Sequence, residues 1–408
     1  MSYGTTPSSG TSTATDLGDI TEFRPILNPE IVACPQPVYH RLHNECPVMH
    51  TDVGVIISRH EDVVFALRHP EIFTSDMDAI HLGNDRPLIP LQINPPDHLK
   101  YRKLLDPLFA PREINKLQDE VRKLANELMD AFVDAGEVEY SEAFAIPLPC
   151  TVFLALMGLP QDELDHFLEL KDNLIRPPGG FGAEEGFEVQ RRTAVEIYEY
   201  FQRAIDERRE TPRDDLISRF IAAEIDGYRM SDEEILDVCF LFIMAGLDTV
   251  TASLGCSMAY LAQHPEQRQE LIDDPSLIPG AVEELLRWEG VVPGSARYIA
   301  QDVELNGQML KAGTPAHIII SAANLDPNEF PDPDLVDFHR EGNRHLAFGA
   351  GIHRCLGSHL ARLELRVSIE EWHKRIPEYQ ITPGDAPRYI SGLRAVEYLP
   401  ITFTPVRG

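Results

Sequence analysis

Cysteine is scarce and scattered. The 408 residues carry six, Cys34, Cys46, Cys150, Cys239, Cys256 and Cys355, with no Cys-x-x-Cys pair and no metal-finger spacing. No zinc finger or dithiol motif is encoded, and reduced thiols in a cytoplasm are the reading that fits. The N-terminus lacks a positive region followed by an apolar core. Residues 1–17, rich in Ser, Thr and Gly, read as a disordered tail with no membrane anchor. No internal repeat is found. Positive charge is also short: 36 Lys and Arg stand against 66 Asp and Glu, and the net charge of −30 repels nucleic acid and acidic proteins alike. What is present is 43% hydrophobic content, enough for a large core, and length alone suggests two or three domains.

Most of the chain has helical periodicity, with a few short strands near the two ends. Strands are expected at 53–57, 317–321 and 397–404. Val303-Glu304-Leu305, Asn306-Gly307 and Gln308-Met309-Leu310 spell a hairpin with a favoured two-residue turn. The fold class is therefore mainly α with a smaller β-rich region. The longest apolar helix opens with a capping box at Ser231 and Glu234 and runs to Gln263, roughly 48 Å at 1.5 Å per residue. Asp237 and Asp248 interrupt its apolar stretch at depths that are costly in lipid, so it is expected as a central buried helix.

The most informative stretch is Phe348-Gly349-Ala350-Gly351-Ile352-His353-Arg354-Cys355-Leu356-Gly357. It leads into a helix expected over 356–374, with Leu360, Leu363, Val367 and Trp372 on one face and Arg362, Glu364, Glu370 and Lys374 between them. Cys355 at that N-terminus gains about 0.3 to 1 kcal/mol for its thiolate, less than one pKa unit, whereas a bound metal deprotonates a thiol outright. A buried inert cysteine and a nucleophile near a histidine are the alternatives. The missing side chains at Gly349, Gly351 and Gly357 favour a flat, bulky partner such as haem, bound through the thiolate.

The pattern formed by Phe348, Gly351, His353, Cys355 and Gly357 resembles the cysteine loop of the cytochrome P450 superfamily, and the resemblance extends from about Ile26 to the C-terminus. It implies one haem-thiolate domain over 18–408, with Cys355 as the axial ligand of haem b and Phe348 and Gly349 beside the cofactor. It also implies a soluble bacterial monomer in the cytoplasm. Such an enzyme uses dioxygen and takes two electrons, ultimately from NAD(P)H, through a ferredoxin reductase and a ferredoxin.

Four further groups acquire meaning from that resemblance. Within Ala245-Gly246-Leu247-Asp248-Thr249, Gly246 costs about 1 kcal/mol of helix stability, so something needs the space. A packing glycine followed by a solvated acid is the plain reading. The resemblance makes Ala245 and Gly246 part of an oxygen-binding groove, Thr249 a hydrogen-bond donor to dioxygen or water, and Asp248 a proton relay, assistance typically worth about 10² to 10⁴ in rate. Glu284 and Arg287 share a helical face, usually a surface pair. In their apolar setting they match a Glu-x-x-Arg motif that joins Arg340 to hold the fold. His98 and Arg102, on a helix that Asn94 can cap with Pro95 as its first residue, join Arg297 and His353 as the set facing the haem propionates. The substrate pocket would draw on Leu88, Ile89, Leu91, Leu241, Met244, Ala245, Val291, Val292 and Leu393, with residues 177–181 as a mobile lid.

Those positions are apolar, which points to a terpenoid, a fatty-acid-like or a steroid-like substrate. No charged residue stands out as a ligand anchor other than Arg86 or Arg176. Residues 340–375 run against the overall charge, with seven Lys or Arg (Arg340, Arg344, Arg354, Arg362, Arg366, Lys374, Arg375) and four Glu (Glu341, Glu364, Glu370, Glu371), a local balance of +3. That face, extended by Lys100, Lys103 and Arg112, is the expected dock for an acidic ferredoxin. Two rivals stay open. One is a peroxide-using enzyme of the same fold, whose pattern has Arg and Pro where Asp248 and Thr249 stand; the other is a non-catalytic haem sensor or carrier.

Overall fold

The computed structural model describes residues 29–75, 82–179 and 183–405; the 1–17 tail and part of the 177–181 lid segment lie outside them. Helices dominate, and the two largest of four apolar clusters among the described residues form along the two halves of the central apolar segment. One gathers Phe109, Phe167, Phe201, Phe220 and Phe240, the other Trp372, Tyr140, Phe144 and Phe403. One helical stretch, Asp232–Gln263, is long and apolar enough to cross a membrane, but 67% of its apolar window is buried inside the protein, as a core helix should be.

That segment is not one unbroken helix. The capping box forms as expected, with the Ser231 hydroxyl accepting from the Glu234 N–H and the Glu234 carboxylate from the Ser231 N–H. The helix Asp232–Gly246 then stops, and a second helix, Thr249–Gln263, starts after Leu247 and Asp248. Ile235 to Leu247 contribute to the first core and Val250 to Ala262 to the second, so the break falls where the two cores meet.

The largest sheet has five strands in the order Val48–Thr51, Gly54–Ile57, Pro315–Ile318, Ser295–Ile299, Phe73–Thr74, parallel only between the second and third. The strand expected at 317–321 thus ends at Ile318, and Ile320–Ala323 is helical. The hairpin Val303–Leu305 with Gln308–Leu310 forms around Asn306 and Gly307, both at positive φ, as its turn requires. The strand expected at 397–404 is two, Ala395–Tyr398 and Pro400–Phe403, in different sheets. Pro400–Phe403 pairs with Glu137–Glu139 from mid-chain, so strands are not confined to the two ends.

Candidate active site

The cysteine loop is held by its own backbone. The Cys355 N–H donates to the Phe348 carbonyl at 2.8 Å and the Gly349 N–H to Leu346 at 2.7 Å. Gly349 and Gly351 both sit at positive φ, a conformation that favours glycine. Their missing side chains differ in meaning. A Cβ at Gly351 would meet the Leu67 carbonyl at 2.2 Å, so that glycine serves packing against the helix His60–Arg68. At Gly349 and Gly357 nothing lies within 4 Å, which leaves a cradle open to a flat group.

Beyond the cysteine, the helix runs Ser358–Arg375. Cys355 is exposed, yet protein surrounds its sulfur closely enough that burial raises the thiol pKa, against the pull of the Gly357 N–H, Arg102, Arg354 and Arg362. It therefore faces an internal cleft rather than open solvent. The loop's outer side is pinned by Arg362, which grips Glu283 at 2.7 and 2.8 Å and lies 4.3 Å from the centre of the Phe348 ring. Burial works against charge on Glu283, but His345 and Arg362 outweigh it and hold that carboxyl at about 2. Glu283 escaped the sequence reading because its neighbour Glu284 carries the motif.

The break in the central helix supplies a second set of candidate residues. Ala245 is exposed although its helix runs through the interior, so it lines the same kind of internal surface. The Thr249 hydroxyl donates to the Ala245 carbonyl at 3.1 Å. Gly246 has a cause other than an oxygen groove: a Cβ there would lie 2.8 Å from the Phe153 ring. Asp248 is no solvated acid. It is buried, and its carboxylate is held by Lys171 at 3.1 Å and Arg176 at 2.5 Å. Burial disfavours the Arg176 cation, but Asp248 and Asp172 more than compensate, and its pKa is raised. Lys171 was legible in principle, since it shares the buried face of the helix Leu164–Ile175 with Phe167, Leu170 and Leu174.

A third group adjoins the cysteine loop. His98 and His353 meet edge to face with ring centroids 4.4 Å apart, and the Nε2 atom of each is buried without a hydrogen-bond partner. Burial, aided by Arg102, pushes the His98 pKa down to about 4. Burial, with Arg297, His98 and Arg102, pushes His353 to about 3. Arg297 is 6% exposed and, among the described residues, donates to Ser295 Oγ at 2.6 Å and the Ala296 carbonyl at 2.7 Å; burial lowers its pKa to about 10. Arg102 reaches Asp106 at 2.7 Å and the Arg354 carbonyl at 2.8 Å, which ties its helix, Asp97–Leu105, to the cysteine loop. That helix starts at Asp97, later than expected, after the Pro95-Pro96 pair. Asn94 does not cap it by its side chain; its Oδ1 accepts from the Ser75 N–H and its Nδ2 donates to Thr74.

Glu284 and Arg287 are fully buried and paired at 2.7 and 2.8 Å. Arg340 Nε reaches both Glu284 oxygens at 3.0 and 3.1 Å, Asn343 adds 3.0 Å, and the Asp337 N–H another 3.0 Å. Arg287 also donates to the carbonyls of Asn324, Pro333 and Leu335, tying the segment before the cysteine loop to the helix Ile278–Glu289.

The pocket residues flank the junction from two sides. Leu88, Ile89 and Leu241, with Leu91 and Met244, belong to the first core, and Val291 with Val292 to the second, while Leu393 is half-buried. Neither arginine remains as a free anchor. Arg176 is taken by Asp172 and Asp248, and Arg86 donates to Asp237 at 2.8 Å while lying 4.5 Å from the centre of the Tyr198 ring. The basic face also shrinks: Arg340, Arg344, Arg362, Arg366, Lys374 and Arg375 are paired with Glu284, Glu329, Glu283, Glu370, Glu371 and Asp130.

Residues 184–372 match the family model for cytochrome P450. The steroid C26-monooxygenase of Mycobacterium tuberculosis (strain CDC 1551 / Oshkosh) is 34% identical over 357 residues, covering 85% of this chain and 94% of the relative. The chain belongs to the cytochrome P450 family. Among solved structures, the myxobacterial cytochrome P450 CYP267B1 in complex with myristic acid superposes with a TM-score of 0.86 at 31% identity, over 94% of this chain and 99% of that one. The Bacillus megaterium CYP109E1 complex with testosterone gives 0.84 at 27% identity, over 92% and 99%. This P450 is a monooxygenase that uses a haem iron cofactor and oxygen, and the non-catalytic alternative is set aside.

Proposed function

We propose that this P450 inserts one atom of dioxygen into an apolar small molecule of steroid-like or fatty-acid-like shape, with the second atom leaving as water. The observation that carries the site assignment is the pairing of an accessible cysteine with a buried group of cations and donors that lacks an anion. Cys355 would hold the haem iron from its loop, and His98, Arg102, Arg297 and His353 would take the two propionates. Two Nε2 atoms and a buried guanidinium that, among the described residues, meet no hydrogen-bond acceptor and no carboxylate respectively fit such a dianion. The open cradle at Gly349 and Gly357 fits its flat face. When bound, the haem supplies the oxidising chemistry.

The chain's own residues manage substrate and protons. Leu88, Ile89, Leu241, Met244 and Val291 give an apolar lining that orders a hydrocarbon and excludes water. The Thr249 hydroxyl, which donates to the Ala245 carbonyl, would rotate to present its proton to the oxygen co-substrate. Asp248 can move a proton inward only after Lys171 or Arg176 lets go, so its relay would be gated by movement of the helix Leu164–Ile175. Steroid and fatty-acid ligands are supported by the steroid monooxygenase relative, by the testosterone and myristic acid complexes of the similar structures, and by the apolar lining; a terpenoid of similar size suits the same lining.

Electrons would come from NAD(P)H through a ferredoxin to a monomer in the cytoplasm. The docking face is best supported at Arg354, Lys103 and Arg112, which are exposed. Dioxygen is the favoured oxidant over peroxide because an acid and an alcohol occupy positions 248 and 249. The test is the ferrous carbon monoxide difference spectrum with Cys355→Ala as control. A red-shifted thiolate-type Soret band that vanishes in the variant is expected; a histidine-type band would overturn the ligand assignment.

A further inference from the structure

The carbonyl of Leu247, at the break in the central helix, is served by two side chains. The Cys150 Sγ–H donates to it at 3.2 Å and the Thr251 hydroxyl at 3.3 Å. Cys150 lies on the helix Pro147–Met157 and is fully buried. One turn further along, Phe153 presses its ring into the place where a side chain at Gly246 would stand. One neighbouring helix therefore touches the break at two points, just ahead of Asp248 and Thr249. A side-chain donor inserted into the backbone ladder is a recognised cause of a helix kink.

We infer that Cys150 is a positioning residue: by occupying the Leu247 carbonyl it keeps the central helix open at 247–248 and so sets where Asp248 and the Thr249 hydroxyl stand. The chemistry suits a fixed donor. Burial pushes the Cys150 thiol up to about 12, against the pull of Lys171 and Thr251, so the sulfur keeps its proton at any working pH. Without that donor, the Leu247 carbonyl is freer to accept the Thr251 N–H, which would straighten the segment and turn Thr249 away from the cleft.

Two substitutions separate donor from bulk. Cys150→Ser keeps a hydroxyl donor and loses volume, whereas Cys150→Val keeps volume and loses the donor. Hydrogen exchange of the 246–252 amides by mass spectrometry reads the break without any turnover. Exchange should slow about threefold or more in Cys150→Val and stay near wild type in Cys150→Ser, in keeping with the net worth of one hydrogen bond. A second readout is peroxide released per electron pair with myristic acid as the probe, which should rise about threefold in Cys150→Val and be rescued by Cys150→Ser. Thermal stability, which follows packing, should rank the two variants the other way.

Wild-type exchange and coupling in Cys150→Val, or equal changes in both variants, would overturn the inference. The coupling half rests on the proposed monooxygenase reading. The exchange half does not, so failure of the Cys355 assignment would leave the Cys150 result interpretable.

Discussion

Glu284→Gln is the sharpest single test of how the cysteine loop is carried. In the folded protein one buried carboxylate accepts from Arg287 at 2.7 and 2.8 Å, Arg340 at 3.0 and 3.1 Å, Asn343 at 3.0 Å and the Asp337 N–H at 3.0 Å. Glutamine keeps the shape, removes the charge, and turns one acceptor into a donor that faces other donors. Arg287, itself fully buried, is left without its counter-ion. Breaking such a pair costs about 3 to 5 kcal/mol, a large part of the roughly 5 to 15 kcal/mol available to a folded domain. Arg344→Gln is the control: its Glu329 pair is 76% exposed on the arginine side and is worth under about 1 kcal/mol.

The assay is urea and thermal unfolding of haem-loaded protein, with the thiolate-type carbon monoxide band as a report on the loop. The acid limb gives a second reading. Burial opposes charge on Glu284, but Arg287, the Asp337 N–H and Arg340 outweigh it and lower its folded pKa. A carboxyl lowered on folding contributes stability above its unfolded value, about 4.3, that is lost as pH falls through the folded value. Glu284→Gln should therefore be unstable at neutral pH and lose less than wild type below about pH 4.3. Stability equal to that of Arg344→Gln at pH 7, with an unchanged acid limb, would refute the reasoning.

Two further outcomes are expected. Thr249→Ala should keep its haem spectrum and divert reducing equivalents into peroxide, because the hydroxyl now bonded to the Ala245 carbonyl is lost; full coupling of electrons to product would remove Thr249 from the relay. Charge removal at Arg354 and Lys103 should slow reduction by ferredoxin at low salt and lessen its salt dependence, whereas Arg362→Gln should chiefly weaken the cysteine loop through Glu283 and Phe348. Equal reduction kinetics in wild type and the Arg354/Lys103 variant would exclude that docking face.

Local signals carried far in the sequence and then stopped at long-range partners. The Ser231 box and the Asn306-Gly307 turn are contacts between neighbours, and both form as read. The break at 247–248 was not legible, because its causes, Cys150 and Phe153, lie about a hundred residues away. The plain reading of Asp248 as a solvated acid fails for the same reason: Lys171 and Arg176 come from another part of the chain. Glu364 shows the limit of periodicity. It falls among Arg362, Glu370 and Lys374 and reads as part of a solvated face, yet it is 1% exposed with an unpartnered Oε1, and burial raises its pKa well above the usual carboxylate range.

The buried charges sort into two kinds, and the sorting says where the cofactor acts on stability. Glu284 with Arg287, Asp215 with Arg208, Glu289 with Arg394 and Asp248 with Lys171 each meet an opposite charge from the chain itself. Such pairs are balanced by charges from within the chain. Arg297 has no carboxylate among the described residues, and burial pushes down the pKa of His353 beside it and of His98 stacked against His353. Folding these three into one place is unfavourable unless an anion joins them, since an unpaired buried charge is costly. A dianionic cofactor that binds the folded chain and not the unfolded one returns that cost as stability. With haem propionates at Arg297, His98 and His353, as proposed above, folding and cofactor binding would be linked there, whereas the Glu284 network balances its charge from within the chain.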